Sequence, residues 1–184
     1  RQHPDANVKS AAERLLATDP NRAKVLKLYA GSASTLGNAM VGKDLFKEHC
    51  SACHQVGGVG TNVGPDISDS RTKTPAALLT SILDPNAAID SAFVQHQVLT
   101  VDGQVLDGLL VGEAKDAITL QQKGGKRVIV PRDAIERLQA PGVSLMPEGF
   151  EEILNPAKMS DLLSYLKNWR YMDGSIPGEI PGRD

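Results

Sequence analysis

The sequence predicts a mainly α chain interrupted by a small antiparallel β insert. Three observations point there. Apolar residues recur at helical spacing around 38–49, 74–83 and 156–169. From about 92 to 140 the pattern switches to alternation punctuated by turn residues. Between the first two of those helices lies "KEHCSACHQVGG", residues 47–58, with both cysteines and two of the four histidines of the chain.

Taken in order, residues 6–17 and 20–30 read as two short helices, with Asp19-Pro20 as cap and first turn of the second. "GSASTLGN" (31–38) is a linker, and Asn38 caps a helix running to about His49 with Val41, Leu45 and Phe46 on one face. The glycine-rich "QVGGVGTNVGPD" contains a GxG pair, but no strand precedes it, so a dinucleotide site is discounted. "TPAALLTSILDPN" (74–86) is a helix stopped by Asp84-Pro85.

"FVQHQVLTV" and "QVLDGLLVG" flank Asp102-Gly103, a hairpin signal. "AITLQQ" and "KRVIVP" flank Lys123-Gly124-Gly125, and "AIERLQ" offers a fifth strand, together a small barrel or meander. Asn155-Pro156 opens the last helix, with Met159, Leu162, Leu163, Leu166 and Trp169 at helical spacing. "DGSIPGEIPGRD" is an irregular tail. The expected organisation is a connector over 1–37, a main domain over 38–172 interrupted by the insert at 92–140, and the tail at 173–184.

Composition narrows the function classes. At 184 residues one sizeable core is available, and aromatics are few at 4%. A net charge of −2 argues against a nucleic-acid binder. No apolar run approaches the roughly 20 residues of a membrane helix. The opening "RQHPDANVKS" carries no signal peptide, and a first residue of Arg is expected of a processed protein or an excised fragment.

Three chemistries compete for Cys50, Cys53 and His54. A CxxC redox pair opens a helix after a strand in a thioredoxin-like fold, whereas this pair ends a helix. A structural zinc wants four ligands, and adjacent Cys53 and His54 suit one tetrahedral ion poorly. A disulfide would close only a tiny loop. In C-x-x-C-H, by contrast, two thiols add to the two vinyl groups of a porphyrin and the following histidine reaches the iron from the same side. One covalent haem c is therefore the expected cofactor, and it supplies apolar bulk to an aromatic-poor chain.

For the sixth ligand four methionines compete. Met159 belongs to an apolar helical stripe, Met40 starts the attachment helix, and Met172 lies in the tail. Met146 in "GVSLMPEGF" follows the insert, with Pro147 favouring an extended backbone there. A surface methionine in a turn is its alternative. His96 falls in a strand pattern and His49 on the helix, where simpler roles suffice. A carbonyl held by Pro65 in "NVGPD" would accept the Nδ1 proton of His54; an ordinary Gly-Pro turn explains Pro65 equally well.

"GKDLFKEHCSACH", "GPD", "SLMP" and "DLLSYLKNW" together resemble class I cytochrome c. The resemblance implies that fold with a β insert, and first and last helices that cross at Gly42. It places Phe46 near Tyr165, Leu166 or Trp169. It implies His54 and Met146 as axial ligands, and Pro65 as the residue whose carbonyl holds His54. "GTNVGPD", "ILDPNAAI", "TVDGQVLDGLLVGE", "IVPRDAIERL" and "SLMPEGF" resemble more closely the haem-binding domain of planctomycete and verrucomicrobial multidomain proteins, over about 30–170. "GPDIS" stands where that family commonly reads GPDL.

The implied function is electron transfer, not enzymatic turnover. Its partners would be redox proteins or an attached dehydrogenase domain, in the periplasm or an equivalent exported compartment, where c-type haem is attached. The runner-up is a haem-based sensor or peroxidase-like site with a displaceable Met146. The insert resembles small Sm-like or SH3-like barrels, and reads as a lid over the haem edge or, alternatively, a docking module.

Overall fold

The structure, a computed structural model, describes residues 20–172. The expected helix at 6–17, the Asp19 cap and the tail at 173–184 lie outside the described residues.

Local capping chemistry sets the helix starts. Helix α1 spans Pro20–Tyr29. Helix α2 spans Ala39–His49, and the Asn38 side chain accepts from the Met40 and Val41 amides at its head. Thr74 and Asn155 do the same for α3 (Pro75–Leu83) and α4 (Pro156–Asn168), each with proline in the first turn. Asp84 ends α3 as expected.

Helices α2 and α4 cross closely. A methyl group on Gly42 would land on the Asp161 carbonyl and 2.8 Å from Tyr165 Cβ, so only glycine permits this approach. Phe46 is fully buried beyond it, its ring 5.6 Å from that of Tyr165 at 47°. Tyr29 of α1, Leu83 of α3 and Met159 and Leu162 of α4 fill the same core. Val41, expected on the buried face of α2, is exposed. Trp169 lies just past α4, in a short 3-10 turn.

The β residues form two sheets. Strands β1 (Gln55–Val56) and β2 (Val59–Gly60) make a small hairpin after the cysteine motif. Strands β3 (His96–Thr100), β4 (Val105–Glu113), β5 (Ala117–Gln121), β6 (Arg127–Pro131) and β7 (Ile135–Gln139) form an antiparallel sheet in the order β6-β5-β4-β3-β7. Alternation places Val98, Ile118, Leu120 and Val130 on one face, where they form a second buried cluster. In a flat sheet β6 and β7 would stand about 19 Å apart across four strand spacings. The short Arg132–Ala134 connection reaches only about 14 Å. The sheet must therefore curl towards a barrel, with register shifts after Leu99 and Leu110.

The expectation of a mainly α, class I cytochrome c fold with a small β insert is corrected here. Among the described residues helix, 3-10 turns included, accounts for 42% and strand for 23%, with four α-helices and a five-stranded antiparallel sheet. The sheet has its own apolar core, which makes it a structural half in its own right and the molecule mixed α and β.

Candidate functional site

The C-terminus of α2 runs into the cysteine motif without a break in hydrogen bonding. The Cys50 and Ser51 amides both donate to the Phe46 carbonyl, and the Cys53 and His54 amides both donate to the Cys50 carbonyl, at 3.0 and 2.9 Å. One tight turn thus carries both thiols and the imidazole on a rigid helix end. Cys50 and Cys53 are free thiols, both half-buried.

The glycine-rich segment folds back over this turn. The Val63 and Gly64 amides donate to the Cys53 carbonyl at 3.0 and 2.7 Å, and Thr61 Oγ1 donates to the Ala52 carbonyl at 2.6 Å. This return brings the Pro65 carbonyl 2.9 Å from His54 Nδ1. A carbonyl only accepts, so Nδ1 carries the proton and the lone pair of the neutral ring sits on Nε2. Gly64 is what lets the chain pass: a Cβ there would stand 2.7 Å from His54 Cε1. Sequence reading did not single out Gly64.

Electrostatics favour uncharged groups here. Burial pushes the His54 pKa below its ordinary value, and the bond to Pro65 offsets part of that. Burial, reinforced by Cys53, pushes the Cys50 thiol up to about 12. Burial also raises Cys53, with Lys123 opposing. A redox dithiol needs an accessible thiolate, so these thiols do not suit exchange chemistry. Among the described residues the fold brings together no group of three or more His, Cys, Asp and Glu side chains that could hold a metal ion.

The sheet reaches the motif at one point the sequence did not reveal. In the β5–β6 turn the Gly124 amide donates to the Ala52 carbonyl at 2.7 Å, and Gln121 Nε2 donates to the Asn62 carbonyl at 3.2 Å. Trp169 also meets this segment, its Nε1 donating to the Ser68 carbonyl at 3.0 Å and its ring lying against Gly57. These are contacts between distant chain segments, and no local pattern announces them.

Met146 is half-buried on the loop between β7 and α4. Its amide donates to Ser144 Oγ at 3.1 Å, the Leu145 amide to the Phe93 carbonyl at 3.3 Å, and the Gln95 amide to the Val143 carbonyl at 2.9 Å. The structure therefore brings Cys50, Cys53, His54 and Pro65 into one cluster. Among the described residues no hydrogen bond ties Met146 to that cluster. His96 sits on β3 with Nδ1 3.2 Å from the Val94 carbonyl, His49 ends α2, and Met159 is fully buried in the core.

A family model described as Cytochrome C oxidase, cbb3-type, subunit III matches residues 37–95. The match supports a cytochrome c haem-binding domain. It spans α2, the cysteine motif, the return loop and α3, and stops where the sheet begins. Such a domain implies haem c with its iron and electron transfer to redox partners, and domains of this kind are typically exported. No curated protein matches the chain. No helix among the described residues is long and apolar enough to cross a membrane.

The residues present fit a c-type haem. Two reduced thiols sit on one helical turn, the next side chain is an imidazole with Nδ1 engaged, and glycine leaves backbone close to its ring.

Proposed function

We propose that the chain is a c-type cytochrome electron-transfer domain carrying one covalent haem. Cys50 and Cys53 attach it, His54 and Met146 are its axial ligands, and the Pro65 carbonyl orients His54. When bound, the haem supplies an iron that changes oxidation state by one electron. The chain's own residues supply position. The observation that carries this reading is the His54 Nδ1–Pro65 hydrogen bond of 2.9 Å at the end of the Cys50–Cys53 turn. It fixes the tautomer and presents Nε2 as donor, and it raises the basicity of the ring. Burial favours the neutral ring, the form that ligates, against the opposing bond to Pro65. A thioether at the sixth position would raise the reduction potential.

The functional unit we propose is 38–172 with the sheet region 92–140 inserted, entered through 1–37 and left through 173–184. The sheet serves as a lid and brace, since its β5–β6 turn bonds to the motif loop and residues 93–95 bond to the Met146 loop. The donor would be an attached or separate dehydrogenase-type cofactor and the acceptor another redox protein, in the periplasm or a similar exported compartment. The likeness to planctomycete-type haem-binding domains belongs to this reading.

The test is Met146→Ala in the haem-loaded chain. The Fe–S charge-transfer band of the oxidised protein should vanish, and the reduced variant should bind carbon monoxide where the parent does not. A band that survives the change would remove Met146 as ligand.

A further inference from the structure

We propose that Asn86 is a positioning residue for Met146, holding the loop that carries it on both sides. This rests on Met146 being the iron's sixth ligand. Asn86 follows Asp84-Pro85, the stop of α3, where Leu83 and Pro85 are buried and the Ala87 amide closes a turn onto the Asp84 carbonyl at 3.1 Å. The side chain is thus launched from a fixed point in the helical half.

Its amide uses both ends. Asn86 Oδ1 accepts from the Ser144 amide at 2.8 Å, two residues before Met146. Asn86 Nδ2 donates to the Glu148 carboxylate at 2.5 Å, two residues after it. The donor and acceptor requirements force this orientation of the amide, because a backbone N–H must donate and a carboxylate must accept. Ser144 then passes the restraint on, since its Oγ accepts from the Met146 amide at 3.1 Å.

The restraint matters because the loop has little else of its own. Gly142 and Gly149 flank it with φ of +76° and +94°, and no helix or strand lies between them. Other ties among the described residues are the Val94–Ser144 bridge with its two backbone bonds, Gln95 to Val143 at 2.9 Å and Leu145 to Phe93 at 3.3 Å, and a loose approach of Arg22 to Glu148 at 3.9 Å. A single side chain that offers both a donor and an acceptor is needed to close the span. Alanine offers neither, and aspartate offers acceptors alone and would face the Glu148 carboxylate.

The experiment compares Asn86→Ala, Asn86→Asp and Met146→Ala with the parent as haem-loaded full chains. Two readouts are taken: hydrogen exchange of the Ser144 amide, and the rate at which added imidazole abolishes the Fe–S band. For Asn86→Ala both should rise at least ten-fold while exchange at Leu163 in the core stays unchanged. Asn86→Asp should retain Ser144 protection and still exchange imidazole faster than the parent. Parental rates in both readouts for Asn86→Ala, or a rise matched at Leu163, would overturn the proposal. If instead Met146→Ala keeps the band, the ligand reading fails, and Ser144 exchange still judges whether Asn86 holds the loop.

Discussion

Gly64 is where the smallest possible addition reaches the imidazole of His54. A methyl group there would meet Cε1 at 2.7 Å and Nδ1 at 3.0 Å, inside contact distance. The neighbouring return bonds to the Cys53 carbonyl leave the backbone little room to retreat. Gly64→Ala is therefore expected to cost about 1–3 kcal/mol, the range for overpacking a tight site, and to break the bond to Pro65. Denaturant melts give the cost, and loss of the downfield Nδ1 proton resonance of His54 reports the bond. An unchanged resonance would mean that the loop yields more easily than its bonds suggest. At this scale the sequence was most legible where the residues are contiguous. Cys50, Cys53 and His54 announce themselves because their spacing is the chemistry. Pro65 lay within reach because a return loop of glycines has few places to go. Gly64 was not singled out, because a glycine's role depends on what its absent side chain would strike.

Among elements, charge decides one junction that hydrophobic pattern cannot. Arg22 of α1 pairs with Glu151 at 2.5 Å and also donates to the Leu83 carbonyl at 3.2 Å, so α1, the end of α3 and the 150–152 turn meet at one guanidinium. Tyr29 adds a bond to the Leu154 carbonyl at 2.8 Å. The Arg22 hydrogen bond holds the Glu151 carboxyl below its ordinary value, against an opposing contribution from burial. A depressed carboxylate pKa stabilises the fold above the unfolded value of about 4.3, and that stabilisation is lost as pH falls through the lower folded value. Glu151→Gln should cost about 1 kcal/mol near neutral pH and nothing at the acid end. Denaturant midpoints measured from pH 7 to pH 3 should therefore converge for the two proteins. Parallel curves would contradict the pairing.

The elements themselves followed from caps and periodicity: Asn38, Thr74 and Asn155 each start a helix, and alternation located all five strands of the larger sheet. Val41 was misplaced because a helix face is set by what packs on it. Here α4 covers Leu45 and Phe46 and leaves Val41 outside.

At the scale of the whole molecule the described residues form two apolar cores, and this is where sequence reading fell short. Helical segments and the cysteine motif dominated the pattern, so the stretch from 92 to 140 looked like an insert in a mainly α chain. The curled sheet instead buries Val98, Ile118, Leu120 and Val130 in a core separate from that around Phe46 and Met159. The bonds of Gly124 and Gln121 at Ala52 and Asn62, and those of Phe93 and Gln95, just before β3, at Leu145 and Val143, join segments far apart in sequence, which no local pattern encodes. The sheet and the segment leading into it thereby touch both loops that carry proposed iron ligands.

The central claim is that this scaffold holds one haem through two thioether bonds at Cys50 and Cys53. A pyridine haemochrome assay on the matured chain, after acidified-acetone extraction, tests it most directly. The account predicts one haem per chain that stays with the protein, and loss of that retention in the Cys50→Ala, Cys53→Ala double variant. Haem that leaves with the solvent, or a correctly matured chain that carries none, would contradict it.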